Sequence, residues 1–408
     1  MNSTKILGLT TIAMLALSGA ANAQGRYTDG HPAGTLTGGS SETKMDFEPY
    51  SGSYLPRKEG PLSRENDAEI GRMIKSGFGD CDLIHQIIKD NADKKTTEKF
   101  DSAVGSVEGR NPGLTERYNR EGYNPDAEGW EGFCHLWAPA GLDPAAGFIV
   151  SLDRIYADVP FGIGDLKELV TFNYPRARTQ FFGTRNYDKS KPRKNRDQEL
   201  DAMDLLTIFD TYVGPGKPGV VLDVDPGYMV WNQPVYKVNK ESTLTKTKRN
   251  GDKEYDVVMT ATYGLEGQYA HRGDNITSSK TWNMKVTTDK NGKIKSARWP
   301  RDMGDAIPDF AWVPEGKNTS PDLERLKKIA KDGVSVKDIE SFCKGMQAMT
   351  KESFEANGAE ELAKLLDGIC PVLDQNKMQD YIRKTAERIG VDYSVLDAAL
   401  NSPTPAHS

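Results

Sequence analysis

The chain has 408 residues, of which 27% are charged and 37% are hydrophobic, and its formal net charge is -6. This length is typical of two or three domains rather than of one small module. Because the chain is acidic and has no long run of Lys or Arg, it lacks the basic surface with which nucleic-acid-binding proteins hold phosphates. Beyond the N-terminus, no stretch has the roughly 18 apolar residues that a membrane-spanning helix needs. Composition therefore argues against a nucleic-acid partner and against a membrane protein.

The N-terminus has the features of an export signal. Lys5 precedes an apolar stretch from Ile6 to Leu17, and Ala21-Asn22-Ala23 provides the small residues of a cleavage site. This pattern predicts a secretory signal peptide at residues 1–23. The alternative is a retained membrane anchor, which the short apolar core disfavours. We expect a secreted or periplasmic protein with no membrane span after signal cleavage.

Four cysteines, at positions 81, 134, 343 and 370, would then lie in a compartment that permits disulfides. Their spacing does not resemble a CxxC metal motif, and the histidines do not cluster beside them, so we predict no metal site. Four cysteines allow three full pairings, and the sequence alone does not choose among them. Because Cys343 and Cys370 share the C-terminal helical region, we predict that they pair, and we leave Cys81 and Cys134 open.

The residues between the signal peptide and the first regular elements are rich in Gly, Ser and Thr. This composition predicts a flexible linker at 24–44, with regular structure beginning near Met45. Helical spacing of apolar residues predicts helices at 64–75 and 83–89. From residue 147 to about 312 the pattern changes to short β-branched or aromatic runs bounded by Gly and Pro, which are typical of antiparallel strands. The predicted strands are Phe148–Val150, Gly219–Val224, Tyr228–Val235, Tyr255–Tyr263, Trp282–Thr288 and Ile294–Trp299, the last two joined by an Asn291-Gly292 turn.

The C-terminal part has helical periodicity. Ser320 before Pro321 is a helix start signal, and Leu323, Leu326 and Ile329 follow on one face until Gly333. Similar stripes recur around Ile339 and Met378, and we interpret them as core contacts of a small bundle. The sequence therefore predicts an α+β fold in parts: signal 1–23, linker 24–44, an α+β domain with an antiparallel sheet at 45–318, and a C-terminal helical domain at 319–408.

The most distinctive stretch is 130–140, which reads WEGFCHLWAPA. A cysteine preceded by Gly and aromatic residues, and entering a short helical run, can lie at a helix N-terminus. There the dipole and the free N–H groups favour the thiolate, which is the reactive form of cysteine. Two alternatives stay open for Cys134, a buried structural thiol and a disulfide with Cys81.

A thiol nucleophile needs a base within hydrogen-bond reach, usually a histidine. His271 lies 137 residues after Cys134, within the spacing of about 130–150 residues that papain-like enzymes show. His135 is the second candidate, although adjacent side chains usually point in different directions. The remaining histidines are weaker candidates because they lie in the linker, in the tail or on a surface helix: His31, His407 and His85.

The segment Val230-Trp231-Asn232-Gln233-Pro234-Val235 resembles the core of the surface peptide of oomycete cell-wall transglutaminases, which plants perceive as an elicitor. The segment Gly132 to Ala140 is similar to the nucleophile region of the same family. Weaker similarities follow the family's order at 49–56, 165–169 and 307–314. From about Met45 to Pro314, the chain thus resembles the transglutaminase elicitor family and its bacterial relatives.

The resemblance implies a papain/transglutaminase-like fold and a secreted protein-glutamine γ-glutamyltransferase. The thiolate of Cys134 would attack a glutamine carboxamide, and the resulting thioester would pass to a lysine amine to form an isopeptide crosslink. Asp223 matches the acidic partner of the nucleophile. The resemblance implies no metal and no cofactor, and it implies extracytoplasmic protein or peptide substrates that carry Gln and Lys side chains.

The sequence departs from the family at the histidine. The family has a Phe-His-aliphatic strand shortly before the Asp, whereas the corresponding window here, 204–210, reads DLLTIFD. Ile307 also replaces the His of the closing His-Pro-Asp-Phe run. Either His135 or His271 therefore acts as the base, or the chain is a catalytically degenerate transglutaminase-like binding protein. A thiol peptidase or amidase is a third alternative, because water can replace the amine in the same thioester step.

The VWNQP segment allows two interpretations. Trp231, Asn232, Gln233 and Pro234 can form a recognition surface, since Trp and Pro suit protein contacts. The other interpretation is an ordinary strand with a proline at the sheet edge.

Overall fold

In the computed structural model, the chain is an α+β protein with a large antiparallel sheet. The structure describes residues 34–60, 62, 81–151, 153–176, 178–185, 200–225, 227–266, 275–301, 307–315, 319–366, 369, 373 and 375–394. Among these residues no helix is long and apolar enough to cross a membrane.

The helices precede, interrupt and follow the sheet. Those before residue 220 are α1 Asp82–Lys89, α2 Thr96–Glu108, α3 Leu114–Arg117, α4 Cys134–Gly141, α5 Pro144–Ile149, α6 Ile163–Asn173 and α7 Ala202–Tyr212, and a π-helical turn, Tyr118–Gly122, continues α3. Those after the sheet are α8 Pro321–Asp332, α9 Val336–Ala348, α10 Lys351–Leu366 and α11 Gln375–Ile389.

The strands form one large and one small antiparallel sheet. They are β1 Gly39–Lys44, β2 Arg154–Tyr156, β3 Val159–Phe161, β4 Arg178–Gly183, β5 Val220–Asp223, β6 Asn232–Thr247, β7 Lys253–Gly264, β8 Thr277–Thr288, β9 Ile294–Arg298, β10 Phe310–Glu315 and β11 Val334–Ser335. The large sheet has eight strands in the order β4-β10-β5-β6-β7-β8-β9, with β1 also paired to β6. The small sheet has the order β11-β2-β3. The predicted α+β class and the predicted antiparallel sheet are confirmed.

The main hydrophobic core brings the sheet together with α4, α6, α7 and α8. Trp137 of α4, Leu166 of α6 and Leu205 of α7 have no exposed surface, like Met259 of β7. Four of the described helices start at a side-chain cap: for example, at α7 the Asp201 carboxylate accepts from the backbone N–H of Met203 at 2.7 Å.

A second core joins α1 to the C-terminal helices α9, α10 and α11. The apolar face of α1, which carries Ile84 and Ile87, packs with Phe342 of α9 and Ile382 of α11. By contrast, α8 belongs to the main core, because Leu323, Leu326 and Ile329 are buried there. The hydrophobic cores therefore do not divide the chain at residue 318, as the predicted boundary implies, since tertiary packing recruits α1 from far away in sequence.

A disulfide between Cys81 and Cys343 crosses this second core. The predicted Cys343–Cys370 pair is therefore wrong, as is the alternative of a Cys81–Cys134 bond. Cys370 lies outside the described residues. The pairing follows the packing of α1 on α9, which local sequence proximity does not reveal.

Several predicted elements are confirmed, and two are wrong. The helix at 83–89 and the strands in 219–224, 255–263 and 282–288 are present, and Gly292 in the predicted turn has a φ of 88°. The predicted linker is wrong for 39–44, which form β1 and pair with β6 from Lys237 to Ser242. The predicted strand at Phe148–Val150 is wrong because Asp143-Pro144 starts α5, with the Asp143 carboxylate accepting from the N–H of Ala145 at 2.9 Å. The signal peptide, the predicted helix at 64–75 and His407 lie outside the described residues.

Candidate thiol site

Cys134 is the first residue of α4, as the sequence predicts. The N–H of Phe133 donates to the carbonyl of Tyr54 at 2.5 Å, which holds the approach to the helix against the 49–56 segment. Gly132 makes this approach possible, because a Cβ there would lie 2.3 Å from the Tyr54 carbonyl oxygen. Cys134 is a free thiol and only 6% exposed.

The thiol faces the first residues of β6. Nδ2 of Asn232 donates to Sγ of Cys134 at 3.4 Å, and the thiol lies 3.7 Å from the carbonyl oxygen of Val230, to which it donates. Oδ1 of Asn232 accepts from Nε1 of Trp312 at 2.8 Å. Because the indole is only a donor, this contact fixes which end of the amide faces the sulfur.

Asp223 lies directly opposite Asn232, where β5 pairs with β6. Its Oδ1 accepts from the N–H groups of Trp231 at 3.0 Å and Asp225 at 3.3 Å. Its Oδ2 is buried and has no hydrogen-bond partner among the described residues. Burial, with a smaller contribution from the charge of Asp309, raises the pKa of Asp223 to about 8.

A second buried carboxyl at the site was missed by the sequence analysis. Oε1 of Glu266 accepts from Nε2 of Gln233 at 3.0 Å, and Oε2 of Glu266 is buried without a partner among the described residues. Burial raises the pKa of Glu266 to about 8. Glu266 follows the end of β7 in a polar stretch that carries no motif. Only the pairing of β7 with β6 brings it near the thiol.

The environment of Cys134 favours the neutral thiol. Burial and then the charge of Glu266 raise its pKa to about 12, whereas the hydrogen bonds from Asn232 act in the opposite direction. The position at a helix N-terminus, which the sequence analysis expected to favour the thiolate, is outweighed by desolvation. The cysteine therefore needs a base before it can act as a nucleophile.

Of the two predicted histidines, only His135 lies in the described part of the chain, and it makes no hydrogen bond to the thiol. The ring of His135 lies 6.0 Å from that of Phe133, and no hydrogen bond joins it to Cys134. Burial and then the positive charges of Arg176, Arg185 and Arg57 lower the pKa of His135 to about 4, so its ring is neutral and weakly basic. His271 lies outside the described residues. The window 204–210, where the family histidine was sought, belongs to α7 rather than to a strand.

The VWNQP segment forms the wall of this site. Asn232, Gln233 and Pro234 are buried, and only Trp231 is partly exposed, with its ring packed edge-on against Tyr54 at 5.3 Å between centroids. A recognition surface made of all four side chains is therefore contradicted. The alternative of an ordinary strand is correct in that residues 232–235 belong to β6, but Pro234 is not at an edge, since it pairs with Val221 of β5 inside the sheet.

The described residues do not group three or more His, Cys, Asp or Glu side chains in a way that could hold a metal ion. What they bring together is a thiol, an amide and two buried carboxyls. A helix that begins at a buried cysteine and packs on an antiparallel sheet carrying Asn232 and Asp223 defines an α+β protein with a thiol site.

Comparison with known proteins supports the resemblance to a family. The family model described as transglutaminase elicitor matches residues 108–265, a range that includes Cys134, Asp223 and the VWNQP segment. Over that range the chain is similar to the transglutaminase elicitor family, which confirms the resemblance seen in the sequence. The crystal structure of the GP42 transglutaminase from Phytophthora sojae is similar at 19% identity and a TM-score of 0.49, over 74% of this chain and 94% of that chain. A search of curated proteins found no match.

Proposed function

We propose that the chain is a secreted protein-glutamine γ-glutamyltransferase that acts through a thioester on Cys134. The observation that carries the proposal is the bond from Asn232 to the Cys134 thiol, with Asp223 opposite Asn232 on the neighbouring strand. These features support the proposal because Cys134 at the N-terminus of α4 contacts a side chain that can orient the thiol, and a buried carboxyl lies opposite that side chain. The family match over 108–265 supports the same chemistry.

The proposed reaction has two halves. In the first, a base takes the Cys134 proton and the sulfur attacks the glutamine carboxamide carbon. The base then gives that proton to the amide nitrogen, the C–N bond breaks, and ammonia leaves. In the second, the lysine amine attacks the thioester carbon, the C–S bond breaks, and the thiol is restored. The substrates are extracytoplasmic proteins or peptides with Gln and Lys side chains, since the signal peptide at 1–23 predicts export.

His271 is the proposed base for the thiol. The chain leaves the site at Glu266, which bonds to Gln233, and returns beside it at Ile276, whose carbonyl accepts from the N–H of Leu265 at 2.8 Å. His271 lies between these two described positions in sequence. His135 is disfavoured as the base by its low pKa and its lack of a bond to the thiol.

The test measures ammonia release and incorporation of a fluorescent primary amine into a glutamine-containing peptide. We expect both activities in the wild type, and a loss of at least about 10³-fold in Cys134→Ala, since removing a nucleophile disables the whole catalytic unit. His271→Ala should lose about 10²–10⁴-fold. His85→Ala, on α1, is the matched control. Full activity in Cys134→Ala would refute the proposal, and unchanged rates in His271→Ala would remove that residue from the site.

A second candidate function is a catalytically degenerate binding protein. It is favoured by the burial of Cys134 and by the rise of its pKa to about 12. In that case, neither the wild type nor Cys134→Ala would release ammonia, and both would bind the same extracytoplasmic partner. Ammonia release without amine incorporation would instead indicate the amidase alternative.

A further inference from the structure

Glu266 is an acid with a buried Oε2 atom that the proposed roles of Cys134, Asp223 and His271 leave unused. One carboxylate oxygen is held by Gln233 at 3.0 Å, while the other is buried with no partner among the described residues. Gln233 is adjacent in β6 to Asn232, which bonds to the thiol. The carboxyl is thus oriented by the same strand that orients the nucleophile.

The charge of this carboxyl raises the pKa values of two neighbouring residues. The charge of Glu266 acts on the Cys134 thiol, and after burial it is the largest cause of the raised pKa there. It also contributes to the raised pKa of Tyr54, after burial and Glu59. Tyr54 packs on Trp231 and supports the loop before Cys134 through its backbone carbonyl. Glu266 therefore belongs to the surroundings of the thiol, since its carboxyl bonds to Gln233, the neighbour of Asn232, and Asn232 bonds to the sulfur.

We propose that Glu266 is the residue that binds the amine of the acyl acceptor and removes its proton in the second half of the reaction. This inference rests on the proposed function. The site offers a cationic substrate a buried carboxylate oxygen that has no partner among the described residues. Burial disfavours the ionised form of this carboxyl, and an incoming lysine ammonium stabilises that form by supplying a cation.

Each proton that the acceptor loses in this step has a destination. The ammonium of the acceptor pairs with Oε2 of Glu266, and one N–H proton passes to the carboxylate. The nitrogen lone pair then attacks the thioester carbon, a C–N bond forms, and the C–S bond breaks with its electron pair on sulfur. The second amine proton is lost as the amide forms, one proton returns to the Cys134 sulfur, and the other goes to solvent when Glu266 ionises again.

The basicity of the carboxyl suits this role. An ordinary glutamate, with a pKa of about 4.3, is a poor base for an alkylammonium of pKa about 10.4. Burial raises the pKa of Glu266 to about 8, which narrows that gap. Because Cys134 is 6% exposed and Oε2 of Glu266 is buried, acceptor binding requires the side chains that cover these two groups to move aside.

The test compares two acceptors in the full-length mature protein. Butylamine is a cation at neutral pH, whereas hydroxylamine is uncharged and does not need a base to become a nucleophile. In Glu266→Gln, Oε1 can still accept from Gln233, so the fold is retained. We expect butylamine incorporation to fall about 10²-fold or more. Hydroxylamine incorporation and ammonia release without any added amine should stay within about threefold of the wild type.

The matched control is Glu241→Gln, an exposed glutamate on β6, which should leave both acceptors unchanged. Equal losses for butylamine and hydroxylamine in Glu266→Gln would overturn the assignment, because they would place the residue in the thiol step or in folding. Unchanged butylamine incorporation would overturn it too. A wild type that releases no ammonia with any acceptor would instead refute the proposed function itself, and this role with it. Glu266→Asp, which keeps the charge on a shorter side chain, should recover part of the butylamine activity.

Discussion

Nδ2 of Asn232 lies 3.4 Å from Sγ of Cys134 and donates a hydrogen bond to it. A 180° flip of the amide would break a hydrogen bond, since its oxygen accepts from the Trp312 indole at 2.8 Å. Asn232 is therefore a fixed donor aimed at the sulfur, and it stabilises the thiolate more than the thiol. Within the segment that resembles an elicitor peptide, this side chain is buried and directed at the nucleophile.

Replacing Asn232 by Ala should make Cys134 less reactive. The loss of the donor raises the pKa of the thiol further. Because neutral pH lies well below this pKa, each unit of increase lowers the thiolate fraction about tenfold. We expect alkylation of Cys134 by iodoacetamide, followed by mass spectrometry, to slow by about three- to tenfold. Trp312→Phe should slow it less, because the donor remains but loses its orientation. Equal rates in wild type and Asn232→Ala would mean that the amide does not act on the sulfur.

The wild-type thiol itself should label slowly at neutral pH. Burial raises the pKa of Cys134 to about 12, so the thiolate is scarce at neutral pH and increases with pH up to that value. Iodoacetamide labelling should rise throughout the alkaline range and should need no reductant, since Cys134 is not in a disulfide. Rapid labelling near neutral pH would contradict the burial seen here and would indicate a cation close to the sulfur.

Breaking the Cys81–Cys343 disulfide should destabilise the second core. The bond joins residues 262 positions apart in sequence and links α1 to α9. Loss of such a crosslink typically costs about 2–5 kcal/mol. We expect urea denaturation of Cys81→Ser, Cys343→Ser and the double variant to show similar losses, because each removes the same bond.

Peptide mapping provides the control for that experiment. Cys370→Ser should keep the Cys81–Cys343 crosslink in a non-reducing digest. A crosslink between Cys343 and Cys370 in the wild type would contradict the pairing and would restore the one predicted from sequence proximity.

Stability should fall as the pH rises, because Asp223 and Glu266 both have raised pKa values. A carboxyl whose pKa rises to about 8 on folding is disfavoured as an anion in the native state. Its contribution to stability is therefore fully present below its unfolded pKa of about 4 and is lost as the pH rises through about 8. Glu266→Gln cannot ionise, so its free energy of unfolding in urea should exceed that of the wild type by about 1–3 kcal/mol near pH 9.

Near pH 4 the same two proteins should have similar free energies of unfolding, since the wild-type carboxyl is then protonated in the folded state. Glu241→Gln is the exposed control and should show no such pH-dependent difference. A Glu266→Gln protein that loses stability at every pH would mean that the carboxylate has a structural partner.

The sequence by itself determined the local features of this protein. Ser320-Pro321 marks the start of α8, where the Ser320 hydroxyl accepts from the N–H of Leu323 at 3.0 Å. Alternating residues at 255–263 and the Asn291-Gly292 turn predict β7 and the hairpin of β8 with β9. The motif at 130–140 places Cys134 at a helix N-terminus. These signals depend on backbone preferences within a few residues, so they can be read without knowledge of the fold.

Only the tertiary structure decided what surrounds the sulfur and which segments pack together. Glu266 and Asn232 reach Cys134 because β7 lies beside β6 and α4 packs on that sheet. Cys81 meets Cys343 because the apolar face of α1 is buried against α9. The pKa of Cys134 likewise depends on desolvation by residues distant in sequence, and this outweighs the helix dipole that the local motif implies. Contacts between distant segments depend on which apolar faces pack against each other in the whole fold. A local sequence pattern shows that a face is apolar but not which face it packs against.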